Sequence, residues 1–306
     1  MRELVLHIGL HKTGTSYLQS LLVANREVLS EAGLAVPPAG GEHKHQHFFR
    51  ALRDEGANAF FDAVDWGLGE RQVISCEPLC TLFNREPPLA EALAEKAARM
   101  GVRLTIVLML RRQDHLKESV FSQVVKTWYS GSVIGKEIYD YDFNNRVLRL
   151  EDIFGREHIR VGLYPVASDA SLDEVFLGLL GLDKLNLQLA AVAPANVRLH
   201  RRQTLFLSQV PKSSDEWASI LLAAVQRCGA IRDDGEQYLM SPAQRAAFLS
   251  SFQAGNKALF ARYGLSEPAW FTPDFGDEHT WFEPEPIQPD EYMAVTFKAL
   301  EIARGR

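Results

Sequence analysis

The 306 residues are ample for one large α/β domain, alone or with a helical extension, and the composition is that of a soluble enzyme. A formal net charge of −6 gives no global basic field for nucleic acid, although Arg198 to Arg202 hold a local basic cluster. Cys76, Cys80 and Cys228 form neither an even set nor a Cys-x-x-Cys pair, which supports neither a disulfide framework nor a metal site and reads as reduced thiols of a cytoplasmic protein. The first predicted element is the apolar run Leu4–Ile8, a strand that turns at Gly9 into a loop rich in lysine, glycine and hydroxyl groups. A helix follows, with Leu18, Leu21, Leu22, Asn25, Val28 and Leu29 at helical spacing and Gly33 at its end. Pro37 to Gly41 is a turn, residues 45 to 68 are helical, and Gln72–Cys76 is a short strand. A helix near 88 to 99 leads to Arg103–Leu110, a nearly uninterrupted apolar strand of the kind buried on both faces of a parallel sheet, and the next helix runs to about Trp128. A strand at His158–Tyr164 and a helix near 171 to 180 complete the alternation.

From about residue 190 the character changes. Arg198 to Cys228 and Ser241 to Tyr263 read as helices joined by a polar Asp233-Asp-Gly turn, and a proline-rich stretch precedes a last helix near 290 to 303. The expected fold class is α/β, with an α/β core over residues 1–185 and a helical region over 186–306 packed on it within the same domain. The charged residues of the helical region are expected on solvated faces. Every long apolar run is strand-sized and the first residues lack the apolar region of a signal peptide, so membrane contact is expected to be peripheral at most.

Strand, loop and helix N-terminus in that order build an anion cradle, because backbone N–H groups converge and the helix dipole adds partial positive charge. A P-loop nucleotidase reads G-x-x-x-x-G-K-[ST]. Here Gly9 and Gly14 keep the glycine spacing, Thr15 takes the lysine position, and the lysine lies upstream at Lys12. A lysine inside the loop reaches a different atom of the ligand.

The run His11-Lys-Thr-Gly-Thr-Ser16 after a first strand resembles the 5′-phosphosulfate-binding loop of sulfotransferases that use 3′-phosphoadenosine 5′-phosphosulfate (PAPS). Arg111 at the end of a strand and Ser119 eight residues later on the following helix reproduce the spacing with which that family holds the 3′-phosphate. The resemblance implies a three-layer parallel sheet of P-loop-nucleotidase-like type and PAPS as sulfuryl donor, with no metal. His11, Lys12, Thr13, Gly14, Thr15, Ser16, Arg111 and Ser119 would bind the donor, and Lys12 would also stabilise its leaving oxygen. Many relatives have proline where this chain has His11. Arg112 and Lys117 read as solvated charges at the start of a helix. The resemblance is best over residues 1 to 185, and Pro194-Ala-Asn196 and Asn256–Tyr263 are similar to segments of bacterial members. The Arg-Lys-Gly and Gly-Asp segment of cytosolic animal sulfotransferases is absent, which points to the bacterial or carbohydrate-type branch and leaves the adenine contacts unread.

Sulfuryl transfer needs a cation at the leaving oxygen and a general base for the acceptor. Glu77 at the end of the second strand is the first candidate for the base, its competing role being a helix N-terminal acid that complements the dipole. His47, in the run Gly41-Glu-His-Lys-His-Gln-His47, is the second candidate and His11 the third, whereas His7 reads as a core histidine. The implied reaction moves a sulfuryl group to a hydroxyl on a glycan, glycolipid or small metabolite. Two other readings stand beside it: a P-loop kinase using ATP and magnesium with Glu77 near the metal, and a nucleotide-binding protein without chemistry.

Overall fold

The computed structural model describes residues 1–38, 45–128, 139–165, 171–182, 199–210, 214–231, 238–266, 271, 281 and 283–305. In chain order its first elements are β1 (Glu3–His7), α1 (Thr15–Ala24), α2 (Arg26–Glu31), α3 (Gln46–Arg50), α4 (Ala57–Asp62), β2 (Arg71–Ser75), α5 (Pro78–Arg85), α6 (Pro87–Arg99) and β3 (Arg103–Leu110). There follow α7 (Gln113–Trp128), α8 (Phe143–Phe154), β4 (Ile159–Leu163), α9 (Leu172–Leu179), α10 (Arg201–Gln209), α11 (Asp215–Arg227), α12 (Pro242–Ser250), α13 (Gln253–Tyr263) and α14 (Pro289–Arg304). The Asp233-Asp-Gly turn, His43, Pro194-Ala-Asn196 and the expected boundary at 185/186 lie outside the described residues.

The chain divides into two compact units: Met1–Arg112 with Asp142–Ala193 and Ala254–Glu267, and Gln113–Tyr141 with Pro194–Gln253 and Pro268–Arg306. The first is the α/β core. Its four strands are parallel in the order β2-β1-β3-β4, with Val5 level with Val73 on one side and with Thr105 on the other. Because successive side chains alternate faces, Val5, Val73, Val107 and Met109 pack with Leu18, Leu21 and Leu22 of α1, Leu29 of α2 and Phe176 of α9. Leu4, Leu6, Ile74, Ile106 and Leu108 fall on the opposite face and are equally buried, where α6 packs on β3 and α8 on β4. Three layers result, as the alternation predicted. The strand order reverses between β1 and β3, and in open α/β sheets ligands bind at the carboxyl ends of the strands at such a switch point.

The outer edge of β2 is closed locally. Ala35 pairs with it, accepting from Val73 N and donating to Arg71 O at 2.9 Å each. His45 accepts from Ser75 N through Nδ1 at 2.9 Å and donates through Nε2 to Pro37 O at 3.0 Å. Burial depresses the pKa of His45 to about 4, so it stays neutral in the tautomer these bonds require.

The second unit is helical. Phe121 and Val125 of α7 share a core with Leu199, Phe206, Leu207, Ile220, Val225 and Val295, which is why α7 groups with the later helices although it directly follows β3. Conversely α13 belongs to the first unit: Arg262 and Tyr263 both donate to Glu151 Oε1 of α8, at 3.0 and 2.8 Å. The helices expected over 198–228 and 241–263 are each two. Extended Val210 (φ −94°, ψ 128°) ends α10, and Ser214 caps α11 by accepting from Trp217 N. The helix expected to reach Gly33 also breaks, at Asn25, whose side-chain amide donates to Leu21 O at 2.8 Å.

The expectation of solvated charges needs correcting at several positions. Arg112 is buried, and Lys117 holds its ammonium 4.2 Å from the centroid of the Phe248 ring. In the second unit Arg245 and Asp114 form a buried pair at 2.7 Å, and Arg202 and Glu291 another at 2.5 Å. Charges survive burial when paired and hydrogen-bonded in this way. Among the described residues no helix is long and apolar enough to cross a membrane.

Candidate active site

The glycine loop, Arg111, Tyr164 and Leu172 all belong to the first unit. β1 continues one residue beyond its last pair, Ile8 N donating to Val107 O at 3.1 Å, and then turns at Gly9 with φ 51°. Thr13 Oγ1 donates to Leu10 O at 2.6 Å and closes the loop on itself. Arg111, at the end of β3, donates through Nη1 to Lys12 O at 2.9 Å and ties the loop to the neighbouring strand. Its guanidinium stands 5.2 Å from the centroid of Tyr164, just beyond β4. Gly14, at φ 79°, is the N-cap of α1, and a Cβ there would lie 2.4 Å from Leu172 Cδ2 and 3.3 Å from Tyr164 Cε2. Both its conformation and its surroundings require glycine.

The loop is furnished for an anion. Gly14 has no side chain to cap α1 and the first turn carries no acid, so the helix N-terminus presents its amides and its dipole without internal compensation. Thr15 Oγ1 and His7 Nε2 are buried and have no hydrogen-bond partner among the described residues. They lie 3.0 and 3.5 Å from where a Cβ on Gly9 would sit, with Thr13 Oγ1 at 3.8 Å. Buried polar atoms lining such a cradle suit the oxygens of a phosphate-like group. The reading of His7 as a satisfied core histidine holds on one edge only: Nδ1 meets Ser75 Oγ at 2.8 Å, and Nε2 faces the loop. Burial lowers its pKa to about 4 against a small opposing pull from Glu77, so the ring is neutral.

Lys12 adopts φ 67°, the one left-handed non-glycine backbone among the described residues. Such conformations persist only where the surroundings over-determine them. Its pKa is lowered chiefly by burial, with Glu77 opposing and Arg111 adding to the shift, which brings three charged groups from the ends of β1, β2 and β3 into one electrostatic neighbourhood. Glu77 is the N-cap residue of α5, yet its side chain makes no capping bond. It meets His11 Nδ1 instead, and His11 Nε2 lies 2.9 Å from Thr81 Oγ1 on α5. At the N-terminus of α5 Glu77 still complements the helix dipole, and its side chain also forms a carboxylate–imidazole pair at the loop. Cys76, next to Glu77, is an inert thiol, its pKa pushed by burial up to about 12.

The remaining candidates are distributed differently. Ser16 is exposed in the first turn of α1. His47 lies on α3, its ring 4.1 Å from that of Phe48, and burial with Arg50 nearby lowers its pKa; its described contacts do not include the loop. Ser119 is half-buried on α7, in the second unit. Sequence reasoning passed over Thr81, Tyr164 and Leu172 as parts of the site. A polar His7 inside an apolar strand was the one local signal for the loop's floor.

No protein-family model matches the chain, and no curated protein does. Among solved structures, a sulfotransferase from Alicyclobacillus acidocaldarius is similar at a TM-score of 0.41 and 17% identity, over 88% of this chain and 99% of that one.

Proposed function

We propose that the chain is a sulfotransferase that moves the sulfuryl group of PAPS to a hydroxyl on a glycan, glycolipid or small metabolite. The observation that carries this reading is Lys12, held in a left-handed backbone inside an uncapped anion loop and sharing its field with Glu77 and Arg111. The loop amides and the Thr15 hydroxyl would hold the phosphosulfate end, and Arg111 the 3′-phosphate, where a planar fork of donors suits phosphate oxygens; the family resemblance adds Ser119 to that phosphate. When bound, PAPS supplies a sulfuryl group whose bridging S–O bond breaks as the acceptor oxygen bonds to sulfur. The Lys12 ammonium then stabilises the negative charge left on the bridging oxygen. Glu77 accepts the acceptor's proton, and His11, donating from Nδ1 and steadied by Thr81, orients that carboxylate. Neither step calls for a metal ion, since the developing charge that magnesium neutralises in phosphoryl transfer would here be met by Lys12. Free Cys76, Cys80 and Cys228 support a reducing, cytoplasmic setting.

Isothermal titration with adenosine 3′,5′-bisphosphate tests the donor side. Wild type should bind, and the Arg111→Ala/Ser119→Ala variant, folded by circular dichroism, should bind at least about a hundredfold more weakly. No binding by wild type, or equal binding by the variant, refutes the reading. A labelled-PAPS screen against polar-lipid, glycan and metabolite extracts then tests the acceptor.

A further inference from the structure

Helix α14 is two-sided. One side is consumed within the second unit, where Val295 and Ala299 join the core beside α11 and Glu291 pairs with Arg202. The other carries Met293, Phe297 and Leu300, which are 60%, 64% and 41% exposed. Spaced i, i+4 and i+7, they form one continuous stripe along the helix. Asp290 extends that stripe at its beginning and Arg304 at its end, and both are exposed. Each stands seven residues from Phe297.

That symmetry identifies the occupant. An acidic end, an aromatic centre and a basic end make a surface complementary to itself under a two-fold rotation. Two antiparallel copies of α14 would set Phe297 against Phe297, Met293 against Leu300, and Asp290 beside Arg304 twice over. Opposed helix dipoles add to the fit. A lipid surface is a poorer match, because membrane-surface helices are rich in lysine and arginine along the polar side, whereas this stripe is flanked by Asp290 and Glu301 as well as Lys298. The three apolar side chains offer on the order of 300 Å² per copy, so with their rim a pair buries roughly 1,000 Å², the lower edge of a specific interface. We infer that the chain self-associates through α14 as a weak, reversible, two-fold antiparallel dimer. This inference does not depend on the proposed reaction.

Sedimentation velocity on the full chain, from about 1 to about 300 µM, should show the mass rising from 34.3 kDa towards twice that value. Phe297→Asp, which changes an exposed position, should remain monomeric throughout with an unaltered circular dichroism spectrum. Asp290→Arg and Arg304→Asp should each weaken association several-fold, and the double exchange should restore it. Phe297→Cys in a Cys228→Ser background should cross-link to itself under mild oxidation, since facing helices bring such positions to about 4–6 Å between Cα atoms, while Cys228→Ser alone, with Cys76 and Cys80 buried, should not. A wild type that stays monomeric at the highest concentration overturns the inference. So does a dimer indifferent to Phe297→Asp, or a monomer that uses Phe297 to bind anionic phospholipid vesicles.

Discussion

Replacing Lys12 by glycine separates the backbone strain of that residue from the chemistry of its side chain. At φ 67° a non-glycine residue pays about 1–2 kcal/mol, and glycine removes this while losing about 0.5–1 kcal/mol through the greater freedom of the unfolded chain. Burial adds to the cost, because it disfavours the charged ammonium: with the folded pKa below the unfolded one, the ammonium is the form that opposes folding at neutral pH. Lys12→Gly should therefore be more stable by about 0.5–1 kcal/mol, a rise in Tm of roughly 1–4 °C. Lys12→Ala keeps the strain and sheds only the cost of the buried ammonium, so its Tm should lie between those of wild type and Lys12→Gly. Both should lose turnover with labelled PAPS by about 10²–10³-fold, the usual effect of removing one donor aimed at developing charge. Differential scanning calorimetry and a single-turnover assay read the two effects separately. A lower Tm for Lys12→Gly than for Lys12→Ala would refute the strain argument, and near-normal turnover in either variant would remove Lys12 from the chemistry.

Three further substitutions probe the surroundings of the loop. Gly14→Ala combines left-handed strain with a methyl group 2.4 Å from Leu172 Cδ2 and should cost about 2–4 kcal/mol in urea unfolding; in a Leu172→Ala background the penalty should shrink to the strain alone, and equal penalties in both backgrounds would exclude the steric account. His45 is depressed to about 4 from 6.5, so its stabilising contribution is complete above the unfolded value and is lost as pH falls through the folded one. Wild type should lose about 2 kcal/mol more than His45→Gln between pH 7.5 and 5, and parallel stability curves would show that His45 is not the titrating group. His11→Ala should lower kcat about tenfold with little change in KM and move the acidic limb of the rate profile to higher pH, because a donor that favours the charged carboxylate of Glu77 is gone; an unmoved limb would reduce His11 to a structural role.

What the sequence made legible was whatever is encoded locally. The strand, glycine and helix order at Leu4–Gln19 and the apolar run of β3 fix the alternating layers, and Arg111 and Glu77 fall at strand ends as expected. Ser241 and Gln244 also announce the start of α12 through a capping box. The break at Asn25 was hidden, since an asparagine on an otherwise apolar stripe reads as continuing helix until its amide is seen to turn back on Leu21. The meeting of His11 with Glu77 joins residues 66 apart, and no local pattern encodes it. The burial of Arg112 and the allegiance of α7 depend likewise on tertiary packing, which overrides the hydrophilic look of Arg111-Arg-Gln-Asp-His-Leu-Lys.

The register of β1 has a consequence for biosynthesis. Its Glu3 pairs with Arg71 on one side and Arg103 on the other, so the strand that opens the chain is flanked only after a further hundred residues have been made. At translation rates of about 5–20 residues per second, the apolar Leu4–Ile8 segment waits roughly 5–20 s for β3. The loop waits longer still, because the carbonyl of Lys12 is tied down by Arg111. A nascent chain stalled before residue 103 would thus carry the whole glycine loop in sequence without its Arg111 tie, leaving the β3 side of β1 an open apolar edge to be shielded by a chaperone.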